Sequence, residues 1–193
     1  MKYYLDITLL PDNEITLGFI WFKVYQQVHI ALAENKIAEN SSAIALSFPD
    51  YGNKEFPLGN KLRLFSPTQV QLEKLAINNW LKRFSDHTHI TLVKAVPDNV
   101  SESVCVKRKQ FKTNLSRLAR RRAKRKGETF EQALQYFASF NDEESELPFI
   151  NVKSLSKNEQ FRLFIEQVKV KEASTGDFNC YGLSKEQATV PWF

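Results

Sequence analysis

Cysteine is scarce in this sequence: Cys105 and Cys180 are the two cysteines among 193 residues. Two cysteines cannot supply a framework of several disulfides, and their separation matches no metal-ligand spacing. We therefore expect both to be reduced thiols in a cytoplasmic protein.

Long apolar runs are absent as well. No window approaches the roughly 18 consecutive apolar residues that a transmembrane helix needs. The first residues, MKYYLDITLLPD, contain charges and a proline where a secretory signal would be apolar. The sequence thus predicts no membrane partner and no secretory signal.

Phosphate-binding glycine motifs and paired acidic residues are also missing. The six glycines are scattered along the chain, so no glycine-rich phosphate loop is present. No pair of carboxylates has a spacing that suggests a two-metal nuclease. We expect neither a bound metal nor a cofactor.

Positive charge, in contrast, is concentrated in one stretch, which we call the basic segment. Between Lys107 and Lys126 the sequence has eleven basic residues and no acidic one. Because the whole chain has a net charge of +5, the remaining residues together carry −6. This asymmetry indicates a polyanionic partner.

The N-terminal part of the chain predicts an α+β domain. Alternating or short apolar runs predict strands, and apolar residues three and four apart predict helices. The predicted strands are Tyr3–Leu10, Ala43–Phe48, Lys61–Ser66 and Ile90–Val96, and the predicted helices are Glu14–Glu34 and Pro67–Arg83, the second capped by Ser66. The resulting βαββαβ order is typical of a ferredoxin-like, RRM-like domain with an antiparallel sheet.

A smaller C-terminal α+β domain is expected to follow. Pro97-Asp98-Asn99 favours a boundary that divides the chain into residues 1–97 and 98–193. In the second part, Asn114 can cap an arginine-rich helix over about residues 114–126 that ends at Gly127. Strand-like runs cover Phe149–Lys153 and Gln160–Val168.

The arginine-rich helix is the candidate nucleic-acid contact. Leu115, Leu118, Ala119 and Ala123 fall on one side, and most of the cations fall on the other. A helix of this kind can dock through its apolar side and present guanidinium groups to phosphates. An ordinary solvated basic face is the alternative, and charge alone does not distinguish DNA from a distorted RNA groove.

Several strings in the sequence resemble one known family. They are SFPD at 47–50, LPFINVKSLS at 147–156, QFRLFI at 160–165, CYGLSK at 180–185 and the final PWF. Together with the arginine-rich helix, they are similar to the Csy-type CRISPR RNA endoribonucleases, the Cas6-like enzymes of subtype I-F systems. The resemblance covers essentially the whole chain.

The resemblance implies a metal-independent endoribonuclease that binds the CRISPR repeat stem-loop. Such an enzyme cuts precursor CRISPR RNA at the 3′ base of the hairpin and stays bound to its product. It then becomes a subunit of the type I-F surveillance complex, alongside the other subunits. In that family the arginine-rich helix enters the major groove of the short hairpin.

The resemblance also implies the site residues. By position, the catalytic residues fall on His29, Ser154 and Tyr181. The base-reading pair falls on Arg108 and Gln110. The other expected RNA contacts are Arg117, Arg120, Arg121, Lys124, Arg125, Ser156 and Phe161, the last stacking under the terminal base pair.

The implied chemistry uses the nucleophile that RNA itself carries. Removing the proton of the 2′-OH allows in-line attack on the phosphate and leaves a 2′,3′-cyclic phosphate. Imidazole suits this proton transfer because it titrates near neutrality, although the sequence does not decide whether His29 is base or acid. The alternative is a non-catalytic RNA-hairpin-binding scaffold; a DNA-binding regulator is disfavoured because no helix-turn-helix partner is visible.

Overall fold

The computed structural model describes residues 1–111, 115–137, 146–154 and 159–193. The chain forms two compact units. One unit comprises Met1–Lys109 together with Pro148–Phe193, and the other comprises Gln110–Leu147. The larger unit contains two antiparallel sheets, so the α+β class is confirmed.

The first sheet is built from the N-terminal strands. Its bounds are β1 (Tyr3–Leu9), β2 (Ala45–Ser47), β3 (Lys61–Ser66), β4 (Thr88–Ile90) and β5 (Lys94–Ala95). The strand order is β2-β3-β1-β4, all pairs are antiparallel, and β5 also pairs with β1. The central pair aligns Tyr3 with Ser66 and Thr8 with Lys61. The predicted strand Ile90–Val96 is thus replaced by two shorter strands.

Helix α1 (Leu17–Glu34) contacts β1 of this sheet and, more extensively, the strand Phe149–Lys153 of the second sheet. It begins later than the predicted Glu14 because Thr16 is its N-cap and accepts a hydrogen bond from the Phe19 N–H. Its apolar side buries Trp21 and Val28 completely. The Trp21 indole N–H donates to the Gly59 carbonyl over 2.9 Å, which satisfies the buried polar atom of that side chain.

The second predicted helix is interrupted. Instead of one helix over Pro67–Arg83, the structure has α2 (Gln69–Leu75), α3 (Ile77–Leu81) and a 3₁₀-helix (Lys82–His87). Thr68, not Ser66, is the N-cap, and its N–H donates to the Gln71 side chain over 3.2 Å. The interruption falls at Ala76, whose φ of 47° is left-handed and cannot continue a right-handed helix.

The second sheet contains the C-terminal strands. They are β6 (Glu102–Lys109), β7 (Phe149–Lys153), β8 (Gln160–Val170) and β9 (Thr189–Trp192), in the antiparallel order β7-β8-β6-β9. The predictions for β7 and β8 are confirmed. Strands β6 and β9 were not predicted: β6 lies partly in the basic segment, and β9 contains Pro191, which an edge strand tolerates.

The two sheets share one hydrophobic core. Leu64 of the first sheet and Ile165 of the second belong to the same buried cluster, together with Val24 of α1. The predicted boundary between residues 97 and 98 falls between the strands of the first sheet and those of the second. The two compact units are divided differently, because both sheets belong to the larger unit and residues 110–147 form the smaller one. The division into 1–97 and 98–193 stays a prediction.

The smaller unit contains two helices, α4 (Leu115–Lys126) and α5 (Phe130–Tyr136). Gly127 follows α4 with a φ of 68°, and Thr129 caps α5 by accepting from the Gln132 N–H. Ala119 and Ala133 are the buried residues of the two helices. Asn114, the predicted cap of α4, lies outside the described residues. Within the part of the chain that the structure describes, no helix is long and apolar enough to cross a membrane.

Candidate active site and nucleic-acid interface

His29 lies in the last third of α1 and is 7% exposed. Its Nδ1 atom is 2.9 Å from the carbonyl oxygen of Cys180. A carbonyl can only accept a hydrogen bond, so Nδ1 carries the proton, and Nε2 of the neutral ring has a free lone pair. Burial lowers the pKa of His29 below its usual value, and the Cys180 hydrogen bond opposes this shift in part. The neutral ring is therefore favoured near pH 7.

Tyr181 covers one face of the His29 ring. The two ring centroids are 4.0 Å apart and the planes differ by 4°. Burial raises the pKa of Tyr181, with the Arg108 guanidinium opposing the shift. The phenol is thus neutral in the physiological range. The Tyr25 hydroxyl, one helical turn before His29, donates to the Tyr181 carbonyl over 3.0 Å.

The loop that carries Cys180 and Tyr181 is held by the side chain of Asn179. The Asn179 Oδ1 atom accepts from the Tyr181 N–H over 2.8 Å and from the Leu183 N–H over 3.2 Å. Gly182 in this loop has a φ of 72°, and a Cβ there would collide with Leu46 Cγ. Glycine is therefore required at this turn.

Phe161 and Arg108 extend the array beyond Tyr181. The Phe161 ring meets Tyr181 edge-on, with centroids 6.4 Å apart and planes at 84°. The Arg108 guanidinium carbon lies 5.1 Å from the Phe161 centroid. The structure thus brings together four of the residues implied by the resemblance, in the order Arg108, Phe161, Tyr181 and His29.

Ser154 follows β7 directly. Its N–H donates to the carbonyl of Glu159, the residue before β8, over 2.8 Å. The peptide of the preceding residue, Lys153, is bound by Gln26 of α1: the Lys153 N–H donates to Gln26 Oε1 over 2.8 Å, and Gln26 Nε2 donates to the Lys153 carbonyl over 3.2 Å. Gln26 lies three residues before His29 in α1. These two bonds therefore join the end of β7, which Ser154 follows, to the helix that carries His29. Ser156 lies outside the described residues.

The remaining implied RNA contacts lie in the smaller unit. Six cations on α4 are exposed: the implied contacts Arg117, Arg120, Arg121, Lys124 and Arg125, and also Lys126. Gln110, which follows β6, is exposed as well. Arg122 is different, because it pairs with Glu128, with its Nε 2.5 Å from Oε1, and its guanidinium carbon lies 3.7 Å from the Tyr136 ring centroid. It joins α4 to α5.

Two residues of the larger unit's site were missed by sequence reasoning. Tyr25 lies four residues before His29, so helical spacing could have placed both on one face. Asn179 had no such signal, because its role depends on the conformation of the loop that follows it. Among the residues that the structure describes, no three His, Cys, Asp or Glu side chains are grouped as metal ligands.

Comparison with known proteins gives matches along the whole chain. The family model described as "CRISPR-associated protein (Cas_Csy4)" matches residues 4–193. A protein of Escherichia coli (strain UTI89 / UPEC) is 36% identical over 194 residues, covering 100% of both chains. A protein of Pseudomonas aeruginosa (strain UCBPP-PA14) is 34% identical with the same coverage. Both relatives are described as "CRISPR-associated endonuclease Cas6/Csy4".

One solved structure resembles the chain more distantly. It is described as "An RAMP protein binding different RNA substrates", is 14% identical, covers 100% of both chains and has a TM-score of 0.39.

Proposed function

The chain belongs to the Cas_Csy4 family of CRISPR-associated proteins, and from this we propose that it binds the CRISPR repeat stem-loop and cleaves precursor CRISPR RNA at the 3′ base of the hairpin. The protein is a site-specific endoribonuclease. After cleavage it remains on its product as a cytoplasmic subunit of the type I-F surveillance complex.

The reaction that we propose is metal-independent transesterification. His29 Nε2 removes the proton of the 2′-OH, whose oxygen attacks the adjacent phosphorus. The bond from phosphorus to the 5′-oxygen breaks, the departing 5′-oxygen takes a proton from solvent, and the products are a 2′,3′-cyclic phosphate and a 5′-hydroxyl end. The hydrogen bond between His29 Nδ1 and the Cys180 carbonyl carries this proposal, because it leaves Nε2 as the acceptor.

The neighbours of His29 have supporting roles in this proposal. Tyr181 holds the imidazole plane by stacking on it, and Ser154 binds the 2′-OH and positions the ribose. Positioning of this kind can supply about 7–11 kcal/mol of the barrier reduction, and a placed base about 10²–10⁴ in rate. A factor of 10²–10⁴ in rate corresponds to about 3–5 kcal/mol, so positioning is the larger of the two contributions.

RNA recognition is divided between the two units in our proposal. Phe161 stacks under the terminal base pair, while Arg108 reads guanine and Gln110 reads adenine in the major groove. The exposed cations of α4 and Ser156 bind the hairpin backbone, with α4 in the major groove. We further propose that the first sheet and its helices form a ferredoxin-like domain, since its order β4-β1-β3-β2 is antiparallel throughout.

Cleavage of a labelled repeat hairpin in EDTA tests this function. Wild-type protein in excess is expected to give one cut at the 3′ base, with a cyclic phosphate on the upstream product. His29→Ala is expected to abolish the cut while keeping hairpin affinity within a few-fold. The matched control is His87→Ala. His87 lies in the 3₁₀-helix Lys82–His87, which contains none of the proposed site residues. Tight binding by the wild type without a cut would favour the non-catalytic scaffold.

A further inference from the structure

The second sheet has two chemically different faces, because side chains alternate along each strand. Arg108 of β6 contacts Phe161 of β8, and both therefore lie on the face that carries the candidate active site. Lys107 and Lys109, the neighbours of Arg108 along β6, lie on the opposite face. We call this opposite face the outer face; its described members used below are Lys107, Lys109, Phe149, Lys153, Arg162, Phe164 and Glu166.

Strand register groups aromatic rings on the outer face. Phe164 of β8 is aligned with Phe149 of β7 on one side and with Lys109 of β6 on the other. The Phe149 and Phe164 ring centroids are 5.5 Å apart. Phe149 is 37% exposed, and the Arg162 guanidinium carbon lies 4.7 Å from its ring centroid. An aromatic ring with a guanidinium against it is thus accessible from solvent.

The outer face is also positively charged. Glu166 pairs with two lysines at once: its Oε2 is 3.3 Å from Lys107 Nζ, and its Oε1 is 3.7 Å from Lys109 Nζ. One carboxylate cannot neutralise two ammonium groups, and Lys153 and Arg162 add two further cations. Lys107 and Lys109 belong to the basic segment, yet neither has a role in the hairpin recognition proposed above.

This combination of groups fits single-stranded RNA better than the other polyanions. Bases of a single strand can stack on an exposed ring while cations bind the phosphates. In a duplex the bases already stack on one another, so the ring would contribute little; an acidic protein surface would pair with the lysines and leave the ring unused. Of these partners, only an unpaired RNA strand would bind both the cations, through its phosphates, and the exposed ring, through its bases.

We propose that the outer face binds single-stranded RNA that is continuous with the repeat hairpin. This inference rests on the proposed function, because a precursor that is cut at the base of a hairpin carries unpaired strand beside it. The outer face adds affinity for the extended RNA and takes no part in the cleavage reaction. It therefore makes the protein prefer a hairpin within a longer transcript over the isolated hairpin.

Binding measurements with three RNAs test the proposal. The RNAs are the repeat hairpin alone, the hairpin with about ten unpaired nucleotides on its 5′ side, and the hairpin with the same extension on its 3′ side. Each has a 2′-deoxy nucleotide at the cleavage position, so that binding is measured without cleavage. We expect the wild type to bind at least one extended RNA several-fold more tightly than the hairpin alone.

Two substitutions on the outer face should reduce this gain. Phe149→Leu removes the stacking ring and keeps apolar bulk, and it should remove most of this gain, so that the extended RNA binds nearly as weakly as the hairpin alone. Arg162→Gln should reduce the gain and also lower the salt dependence for the extended RNA by about 0.7 per lost phosphate contact. Affinity for the hairpin alone and the rate of cutting an unmodified minimal hairpin should not change in either variant.

The matched controls are Phe19→Leu and Arg83→Gln, an exposed phenylalanine and an exposed arginine far from the outer face along the chain. Circular dichroism melts check that all four variants are folded.

The proposal is overturned if extension adds nothing to wild-type affinity, if the controls lose the gain equally, or if the outer-face variants lose affinity for the hairpin alone. It is also overturned if those variants bind every RNA normally but lose association with other proteins of the complex. Failure of the proposed function is a separate result, since then the wild type would not bind or cut the minimal hairpin.

Discussion

The imidazole of His29 lies flat against the phenol ring of Tyr181, with ring centroids 4.0 Å apart. The preceding residue, Cys180, supplies the carbonyl that binds His29 Nδ1. Two consecutive residues therefore hold the imidazole: Cys180 by a hydrogen bond at the ring edge, and Tyr181 by stacking on the ring face. This leaves Nε2 as the ring nitrogen available for proton transfer, which is the basis of the predictions below.

The first prediction concerns the pH dependence of cleavage. Burial lowers the pKa of His29 below the ordinary value of about 6.5, and a general base works in its neutral form. Single-turnover cleavage should therefore rise with pH through a midpoint below about 6.5 and be level from pH 7 upward. Rates measured between pH 5 and 8.5 on one labelled hairpin check this. A rate that falls as pH rises through the same range would instead identify His29 as the general acid.

The second prediction separates the ring of Tyr181 from its hydroxyl. Tyr181→Phe keeps the stacked ring, so single-turnover cleavage should stay within a few-fold of the wild type. Tyr181→Leu removes the stacking, and the freed imidazole should lower the rate by about tenfold to a hundredfold. Hairpin affinity measured alongside is the control, and equal losses in both variants would show that the hydroxyl, not the ring, is needed.

Asn179 is predicted to be a positioning residue that acts on His29 through the loop. Asn179→Ala removes the acceptor of the Tyr181 and Leu183 N–H groups, so it should lower cleavage about tenfold or more. Asn179→Asp keeps an acceptor and adds a negative charge near the imidazole. It should retain activity at pH 8 but shift the rate midpoint to higher pH, because the charge favours the imidazolium. Rate profiles of both variants check this; if Asn179→Asp lost as much activity at pH 8 as Asn179→Ala, the accepted hydrogen bonds would not be what positions His29.

Much of the fold could be predicted where pattern and burial agree. The predicted strands Lys61–Ser66 and Phe149–Lys153 have those bounds; the first is buried from Leu62 to Ser66, and burial alternates along the second. Strand β6 has no comparable signal, because its last three residues, Lys107 to Lys109, belong to the basic segment and follow the buried Val104 and Val106 without an alternating pattern. The break at Ala76 had no signal, because alanine is a strong helix former and rarely adopts the left-handed φ of 47° that it has here.

The site was predictable only in part. His29, Tyr181, Phe161 and Arg108 came from the family resemblance, and the structure brings these four side chains into one array. The bond from the Tyr25 hydroxyl to the Tyr181 carbonyl joins residues 156 positions apart. A local pattern cannot reveal a contact of that range, because it depends on how the C-terminal loop packs on α1.

The last prediction distinguishes two adjacent arginines of α4. Arg121 is exposed, so Arg121→Ala should weaken hairpin binding and reduce the slope of log affinity against log salt by about 1 for the lost phosphate contact. Arg122 is engaged by Glu128 and by the Tyr136 ring. Arg122→Ala should therefore destabilise the α4–α5 pair by about 1–2 kcal/mol and leave the salt slope nearly unchanged. Salt titrations with a labelled hairpin, together with hydrogen exchange across α4 and α5, measure both effects. If Arg122→Ala reduced the slope as much as Arg121→Ala, Arg122 would be a phosphate contact and its pairing with Glu128 would not persist on RNA.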